Sequence, residues 1–262
     1  MNISLVPPPA PGVPAYAEIN IAGEQAGSPL FNDVYFSDAG GYLESEHVFI
    51  QGNGLPERLA CREEDAKSAP GSASEGDRLR EFVIGETGFG TGRNLLTILK
   101  LLHDLRNQGI RLPEIHYITV EKHPLLPRDL EKAQSIFKNL ARESLLFRSC
   151  YRAPVSGLQT LCPEPGVTVH LLVGDIQEIC PAIRLSRPVD AWFLDGFSPA
   201  LNPEMWSLSV FRELRRLSAP GTTLATYTVS GAVRRNLNEA GFVTAKLPGY
   251  GRKREMTAGW IP

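Results

Sequence analysis

The sequence lacks the features of a membrane or secreted protein. No run among its 262 residues approaches the roughly 20 consecutive apolar residues that a membrane-spanning helix needs. The amino terminus, MNISLVPPPAPGVP, has no basic residue, and prolines interrupt its apolar run, so it does not have the pattern of a secretory signal. We therefore expect a cytoplasmic protein that does not associate with membranes.

Cysteine is also scarce, and its spacing does not favour a metal site. The four residues Cys61, Cys150, Cys162 and Cys180 form no C-x-x-C pair and have no His at ligand spacing. In a cytoplasmic protein, such thiols are usually reduced. We expect no metal ion and no disulfide framework.

The chain has little net charge, but the charge is unevenly distributed. It has 27 Lys and Arg residues against 29 Asp and Glu residues, yet nine basic residues face only four acidic ones from residue 201 onward. Two explanations stay open, namely a surface that meets an anionic partner and an ordinary solvated face.

The first 80 residues show little helical or strand periodicity. Residues 1–30 are rich in Pro, Gly and Ala, which predicts a leader that lies over the fold. Residues 34–37 and 47–50 are apolar runs around a glycine-bearing connection, which predicts a β-hairpin. Residues 60–78 contain only small and charged residues and Pro, which indicates an exposed or disordered insert.

From residue 81 onward, short apolar runs alternate with amphipathic ones, which predicts a mostly parallel α/β sheet covered by helices. We expect an antiparallel pair at the C-terminal end. The predicted strands are EFVIGE, HYITVEK, VTVHLLVGD, VDAWFLDGF, GTTLATYT, GFVTAKL and REMTAGW. Four helices are predicted. One follows the first strand, a second covers residues 126–140, and the other two begin at the caps Asn202 and Ser230. The predicted organisation is a leader and β-hairpin extension over residues 1–59, an insert over 60–80 and an α/β domain over 81–262.

A glycine-rich loop follows the first strand of this region. The sequence E-T-G-F-G-T-G lacks the G-x-G-x-x-G spacing of a dinucleotide fingerprint. Its G-x-G-x-G spacing after an acidic residue resembles the first motif of class I S-adenosylmethionine-dependent methyltransferases. The resemblance implies a Rossmann-like fold and S-adenosylmethionine as the cofactor. The cofactor-binding residues that we predict here are Glu86, Gly88, Phe89, Gly90, Gly92 and Asn94.

Acidic residues follow the next three strands, where ligands bind in this class of fold. Carboxylates suit a cofactor that carries a sulfonium, an ammonium and a ribose diol but no phosphate. We predict that Glu121 holds the ribose and Asp175 meets the adenine amino group. Asp195 follows the fourth strand in D-G-F-S-P and is predicted to accept a proton from an amine or to orient it, with Phe197 as a wall. Each acid alone has an ordinary alternative, such as a cap or a turn.

Further motifs make the resemblance specific. They read D-V-Y-F-S, E-T-G-F-G-T-G-x-N, V-E-K-H-P-L, D-A-W-F-L-D-G-F-S-P-A-x-N-P-x-M-W, L-A-T-Y and G-Y-G-R-K-R-E-M. With these motifs, the chain from about residue 30 to 258 resembles the methyltransferase domain of the MnmC family of bacterial tRNA-modification enzymes. The resemblance implies methylation of the 5-aminomethyl group of 5-aminomethyl-2-thiouridine at the tRNA wobble position, which gives 5-methylaminomethyl-2-thiouridine.

The same resemblance implies tRNA as the partner. Arg252, Lys253 and Arg254 lie in a glycine-bordered connection and are predicted to contact tRNA phosphates. For Arg234 and Arg235, phosphate contact and simple solvation stay open. The family commonly continues into an FAD-dependent oxidoreductase domain, whereas this sequence ends at Pro262. We therefore expect this polypeptide to methylate alone, with a separate oxidoreductase supplying the aminomethyl substrate. Two explanations stay open, namely a stand-alone protein and a shortened form of a longer one.

This sequence differs from the expected family pattern in two respects. Thr87 stands where a serine is expected, and the insert over residues 60–78 is longer than usual. Two rival functions stay open. One is a methyltransferase or aminopropyltransferase that acts on a small-molecule amine, and the other is a non-catalytic RNA-binding module.

Overall fold

The structure is a computed structural model. It describes residues 1–8, 12–22, 25–28, 33–36, 41–60, 81–251 and 253–262. The predicted insert over residues 60–78 lies outside these ranges except for Ala60, as do Ser37, Cys61 and Arg252. Within the described ranges, no helix has the length and apolar character to cross a membrane.

The described strands are numbered in chain order. They are β1 Ile3–Leu5, β2 Asn20–Ala22, β3 Gln25–Ser28, β4 Asp33–Phe36, β5 Glu81–Glu86, β6 Glu114–Glu121, β7 Gly157–Glu164, β8 Val167–Val173, β9 Ile183–Leu185, β10 Val189–Phe193, β11 Ser218–Thr226, β12 Val243–Pro248 and β13 Glu255–Trp260.

The described helices are numbered in the same way. The α-helices are α1 Gly41–Ser45, α2 Leu55–Leu59, α3 Arg93–Asn107, α4 Pro127–Gln134, α5 Ala141–Cys150, α6 Ile176–Ala182, α7 Leu208–Arg216 and α8 Gly231–Glu239. A π-helix covers Glu46–Gln51, and 3₁₀-helices cover Lys138–Leu140 and Pro203–Trp206.

The central sheet has eight strands within the described ranges, in the order β12-β13-β11-β10-β5-β6-β8-β7. The pairs β11–β10, β10–β5, β5–β6 and β6–β8 are parallel, whereas β7 and the β12–β13 pair run antiparallel to their neighbours. This confirms the predicted class I methyltransferase fold, a mostly parallel sheet with a C-terminal antiparallel hairpin. The parallel strands are apolar runs because helices cover both of their faces.

Two apolar clusters hold the helices on the two faces of the sheet. In α3, Leu95, Leu99, Leu102 and Leu105 are buried, as their helical spacing predicts. On the other face, Trp206, Val210, Leu214 and Leu217 are buried in the second cluster. In both segments, the apolar residues at helical spacing therefore face the sheet.

The N-terminal predictions are partly wrong. Within the predicted leader, β1 pairs with β9, and β2 and β3 form a three-stranded sheet with β4. The strand predicted around Val34 exists as β4, but its predicted partner at His47–Ile50 is helical. The reason is that V-F-I is a short, fully buried apolar run, and such a run has the same pattern in a strand and in a buried helix.

The π-helix belongs to the same core as the sheet. Val48, Phe49 and Ile50 are buried in the cluster that also contains α3. Phe49 stacks on Phe193 at 5.0 Å between ring centroids and meets the edge of Tyr227 at 4.9 Å. Residues before the predicted domain boundary at 81 therefore pack directly beside the strand ends of the sheet.

Other boundaries also differ from prediction. The helix predicted over residues 126–140 ends as α4 at Gln134, and α5, α6 and β7 were not predicted. Asn202 precedes a 3₁₀-helix and makes no capping hydrogen bond, whereas the side chain of Ser207 accepts a hydrogen bond from Val210 N and caps α7. Ser230 precedes α8 without a side-chain capping bond.

Candidate active site

A cleft opens where the central parallel strands end. Its walls are the loops that follow β5, β6, β8 and β10, and Leu201, Asn202, Glu204 and Met205 also line it. Its empty space, including the mouth toward solvent, is about 1090 Å³. The strand-end rule therefore located the cleft correctly.

The glycine loop folds tightly over the end of β5. Gly90 and Gly92 have φ angles of 53° and 73°, in the left-handed region that glycine adopts without a steric penalty. At Gly88 the reason is a close approach, because a Cβ atom there would lie 2.9 Å from the backbone oxygen of Asp195. The loop can thus lie against the chain after β10 and present the N-terminus of α3 to the cleft.

Glu121 lies in the cleft wall at the end of β6. Its Oε2 accepts a hydrogen bond from Gly90 N at 2.7 Å, and its Oε1 accepts one from His123 N at 2.8 Å. A carboxylate has about four acceptor sites, so two remain for a ligand. Glu121 therefore ties the glycine loop to β6 and keeps the capacity to accept the two hydroxyls of a ribose.

Asp175 also lines the cleft, at the N-terminus of α6. Its Oδ1 accepts a hydrogen bond from Gln177 N at 2.9 Å, and its Oδ2 pairs with Lys122 Nζ at 2.7 Å. Burial alone would raise the pKa of Asp175, but the hydrogen bonds from Lys122 and Gln177 outweigh it and lower that pKa. The sequence analysis did not single out Lys122, although it follows Glu121 at the same strand end.

Asp195 lines the cleft and is held at three points. Its Oδ2 accepts a hydrogen bond from Asn94 Nδ2 at 2.7 Å, and its Oδ1 accepts one from Gly196 N at 2.8 Å. Thr87 Oγ1 donates to its backbone oxygen at 2.7 Å. Burial raises the pKa of Asp195, and the positive charge of Arg93 opposes this shift.

Among the predicted cofactor residues, Gly92 and Glu86 do not line the cleft, and Glu86 is buried in the core. Its side chain is fully buried, accepting hydrogen bonds from Asn94 Nδ2 at 2.8 Å and from Thr119 Oγ1 at 2.7 Å. Burial raises the pKa of Glu86 to about 8. A neutral carboxylic acid beneath the loop is therefore connected to Asp195 through Asn94.

A second group of charged and aromatic side chains borders Asp195 on the β11 side. Arg93 Nη2 donates to the hydroxyl of Tyr227 at 2.7 Å. Lys253 Nζ lies 4.4 Å from the centre of the Tyr227 ring and 3.0 Å from Glu44 Oε1. The sequence analysis did not select Arg93 or Tyr227, but Tyr227 follows β11 in L-A-T-Y and so obeys the strand-end rule.

Of the remaining predicted residues that the structure describes, only the two aromatic ones line the cleft. Phe89 is buried and Phe197 is half-buried, and both line the cleft. The backbone oxygen of Phe197 accepts a hydrogen bond from Trp206 Nε1 at 3.0 Å, which anchors this wall to the 3₁₀-helix. Lys253 and Arg254 are exposed, and their contact with RNA stays a prediction.

The donor set of the cleft fits S-adenosyl-L-methionine. Two carboxylates, Glu121 and Asp175, stand at neighbouring strand ends, and the glycine loop leads into the N-terminus of α3. These groups suit hydroxyls, an amino group and a cation. The fold and the cleft define a class I methyltransferase that uses S-adenosyl-L-methionine as its cofactor.

Comparison with known proteins agrees with this class. A family model described as S-adenosyl-L-methionine-dependent methyltransferase matches residues 138–262. The tRNA 5-methylaminomethyl-2-thiouridine biosynthesis bifunctional protein MnmC of Pseudomonas fluorescens strain Pf-5 is 45% identical over 233 residues, covering 88% of this chain and 32% of the relative. The protein of the same name from Stutzerimonas stutzeri is 41% identical over 255 residues, covering 96% and 36%.

The chain is a homologue of the methyltransferase domain of the MnmC proteins, and it spans about a third of the length of these curated relatives. Among solved structures, the crystal structure of MNMC2 from Aquifex aeolicus superposes with a TM-score of 0.65 at 23% identity. The match covers 95% of this chain and 72% of that one. At this identity the likeness supports the fold.

Proposed function

We propose that this chain methylates the 5-aminomethyl group of 5-aminomethyl-2-thiouridine at the wobble position of tRNA, giving 5-methylaminomethyl-2-thiouridine. The observation that carries the proposal is the position of Asp195, a partly buried carboxylate that lines the same cleft as Glu121 and Asp175. The names of the curated relatives, which refer to this modified nucleoside, support the choice of substrate.

In the proposed reaction, the cofactor supplies an electrophilic methyl group on a sulfonium. Glu121 and Asp175 bind the adenosine portion and fix its position relative to Asp195. The two hydrogen bonds that Glu121 accepts from Gly90 and His123 keep its carboxylate in place before the ligand arrives. Such preorganisation supplies much of the rate of a direct transfer.

Asp195 handles the proton of the acceptor amine. An alkylamine resembles the lysine side chain, whose pKa is about 10.4, so it is mostly protonated at neutral pH and has no free lone pair. Because burial raises the pKa of Asp195, its carboxylate is a stronger base than an exposed aspartate. Asp195 accepts an N–H hydrogen bond or the proton and directs the nitrogen lone pair toward the cofactor side.

The tRNA approaches from the side of β11 and β13. The connection before β13 carries Lys253 and Arg254, and α8, which follows β11, carries Arg235 at its middle. Both segments lie at the strand-end edge that holds Asp195, because β13 runs antiparallel to β11. Basic side chains there suit the phosphates that flank an anticodon base.

The substrate must already carry a free amino group. An FAD-dependent oxidoreductase that exposes the aminomethyl group is the class of partner this requires, and the word bifunctional in the names of the relatives agrees with a second activity in those proteins. The proposed substrate places the reaction in the cytoplasm.

The test compares two acceptor classes with methyl-labelled S-adenosyl-L-methionine. Transfer of label to hypomodified tRNA, with none to free polyamines, supports the proposal. Transfer to polyamines alone supports the small-molecule alternative. Calorimetry of cofactor binding addresses the non-catalytic alternative, which predicts weak or absent binding.

A further inference from the structure

We propose that Asn94 is a positioning residue that fixes the carboxylate of Asp195 toward the acceptor amine, in place of the cofactor contact that its sequence position suggests. This inference rests on the proposed function, because it assigns a role in the same reaction. It is carried by the hydrogen-bond geometry around one amide group.

The amide of Asn94 bridges two carboxyl groups. Its Nδ2 lies 2.8 Å from Glu86 Oε1 and 2.7 Å from Asp195 Oδ2, and its Oδ1 accepts a hydrogen bond from Ser45 Oγ at 2.8 Å. An ionised carboxylate only accepts hydrogen bonds, so the NH₂ side of the amide must face Asp195. The orientation of Asn94 is therefore determined by its neighbours.

The two N–H donors of the Asn94 side chain are both used within the protein. The side-chain amide has two hydrogens, and both are used by Glu86 and Asp195. No amide hydrogen remains for the carboxylate of a methionine group. In addition, Asn94 is almost fully buried, so the group cannot turn toward a ligand without breaking all three hydrogen bonds.

The bridge also separates the two carboxyl groups electrostatically. Glu86 lies beneath Asn94 and is neutral at physiological pH, because burial raises its pKa to about 8. Asp195 faces the cleft, and the charges of Arg93 and Lys253 oppose the rise of its pKa. Asn94 therefore lies between a buried carboxyl group and the carboxyl group that lines the cleft. Its carboxylate plane is set by Asn94 on one oxygen and Gly196 N on the other.

The test uses the full chain with three variants. Asn94→Ala removes the bridge, Asn94→Asp keeps its shape but replaces its donors with a third carboxyl group, and Asn107→Ala is a matched control at the exposed end of the same helix. Transfer to hypomodified tRNA gives kcat and KM across pH, and calorimetry gives the cofactor affinity of each variant. Circular dichroism verifies that each variant is folded.

For Asn94→Ala we expect kcat to fall by about 10-fold to 100-fold, the cost of a misplaced reacting group, with cofactor affinity unchanged within about twofold. For Asn94→Asp we expect kcat to be lower than in the wild type, by a factor that shrinks as pH rises. The reason is that a third carboxyl group raises the pKa of Asp195, and a higher pH restores the negative charge of Asp195. The groups that share this environment are Glu86, Arg93, Lys253, Tyr117 and Tyr227.

Two results would overturn the inference. One is a large loss of cofactor affinity in Asn94→Ala with kcat retained, which would make Asn94 a cofactor contact. The other is a loss of kcat in Asn94→Asp that is the same at every pH, which would indicate a purely structural role of Asn94. If Asn94→Ala does not fold, Ser45→Ala decides instead, because it removes the hydrogen bond to the amide oxygen of Asn94. We expect this variant to show a smaller fall in kcat than Asn94→Ala, again with unchanged cofactor affinity.

Failure of this inference is distinguishable from failure of the proposed function. If the wild-type chain does not methylate hypomodified tRNA, the proposed function fails. The role of Asn94 is then read from a carbon-13 NMR titration of the Asp195 carboxyl group in the wild type and in Asn94→Ala. A titration curve that Asn94→Ala leaves unchanged would overturn the inference.

Discussion

At the scale of single residues, the Asp195 carboxylate is held in a fixed orientation and is still open to the cleft. Both of its oxygens accept hydrogen bonds from fixed donors, Asn94 Nδ2 and Gly196 N, while the side chain still lines the cleft. Burial raises its pKa, which favours proton acceptance, and the nearby charge of Arg93 limits that rise so that the carboxylate can stay ionised.

Glu121 supports a prediction about the cofactor. We expect Glu121→Ala to weaken binding of S-adenosyl-L-methionine by about 1–3 kcal/mol, the range for leaving hydrogen-bonded partners unpaired. The variant loses the proposed ribose contact and also the hydrogen bond that anchors Gly90 N. Isothermal titration calorimetry measures the change. Glu131→Ala, at a glutamate whose side chain is 64% exposed, serves as the control. Equal affinities of Glu121→Ala and the wild type would reject the contact.

The residues of the cleft were predictable where one rule applies, namely that ligands bind beyond the carboxyl ends of parallel strands. Glu121, Asp175 and Asp195 satisfy it and line the cleft. Glu86 also ends a strand, but it points into the core beneath the loop, and sequence position alone does not distinguish these two orientations. Ser45 depends on the packing of a distant helix, so local sequence could not predict its contact with Asn94.

At the scale of elements, the buried parallel strands were predictable because each is a short apolar run between turn signals. The antiparallel edge strand β7, GLQTLCPE, alternates weakly and faces solvent over much of its length, so its pattern is faint. The π-helix at Glu46–Gln51 was mistaken for a strand because its apolar residues are consecutive and fully buried. Packing against Phe193 and Tyr227, which lie far along the chain, is a feature that sequence periodicity does not contain.

The start of α7 gives a prediction at this scale. Ser207 accepts a hydrogen bond from Val210 N, whereas Asn202, the cap expected from the sequence, donates to Met205 Sδ. We expect Ser207→Ala to lower the free energy of unfolding by about 1 kcal/mol, the usual cost of losing an N-cap. Asn202→Ala, as the matched comparison, is expected to cost less. Urea denaturation measures both, and a larger loss in Asn202→Ala would contradict the assignment of the cap.

At the scale of the whole molecule, the edge of the sheet that holds the cleft is electrically asymmetric. The carboxylates of Glu121 and Asp175 follow β6 and β8, whereas the basic residues Arg235, Lys253 and Arg254 accompany β11 and β13 on the other side of Asp195. The basic bias after residue 201 indicates this asymmetry, but only the strand order places the acidic and the basic side chains on opposite sides of Asp195.

This asymmetry predicts the salt dependence of tRNA binding. We expect the double variant Arg235→Ala and Arg254→Ala to bind tRNA more weakly and to reduce the slope of log affinity against log salt by about 2, because two phosphate contacts are lost. Arg128→Ala, at a side chain that is 78% exposed on α4, is the control. Filter binding at several salt concentrations measures the slope. An unchanged slope would exclude these two residues from the RNA contact.

The raised pKa of Glu86 leads to a prediction of how the stability of the whole fold depends on pH. Its pKa in the folded protein, about 8, lies above its ordinary value of 4.5, so the folded state binds the proton more tightly than the unfolded state. This contribution is fully present below about pH 4.5, falls as pH rises, and is lost above about pH 8. We expect the unfolding free energy of the wild type to decline relative to that of Glu86→Gln through this window. Parallel pH curves from urea denaturation would refute the raised pKa.

The most direct measurement of the central claim is mass spectrometry of wobble nucleosides. Hypomodified tRNA is incubated with methyl-labelled S-adenosyl-L-methionine and either the wild-type chain or Asp195→Asn, a substitution expected to reduce transfer by about 100-fold to 10,000-fold. With the wild type, we predict that 5-aminomethyl-2-thiouridine is converted into 5-methylaminomethyl-2-thiouridine that carries the label. The account would be contradicted if 5-aminomethyl-2-thiouridine stayed unconverted after incubation with a cofactor-bound wild-type chain. It would also be contradicted if Asp195→Asn converted as much of it as the wild type does.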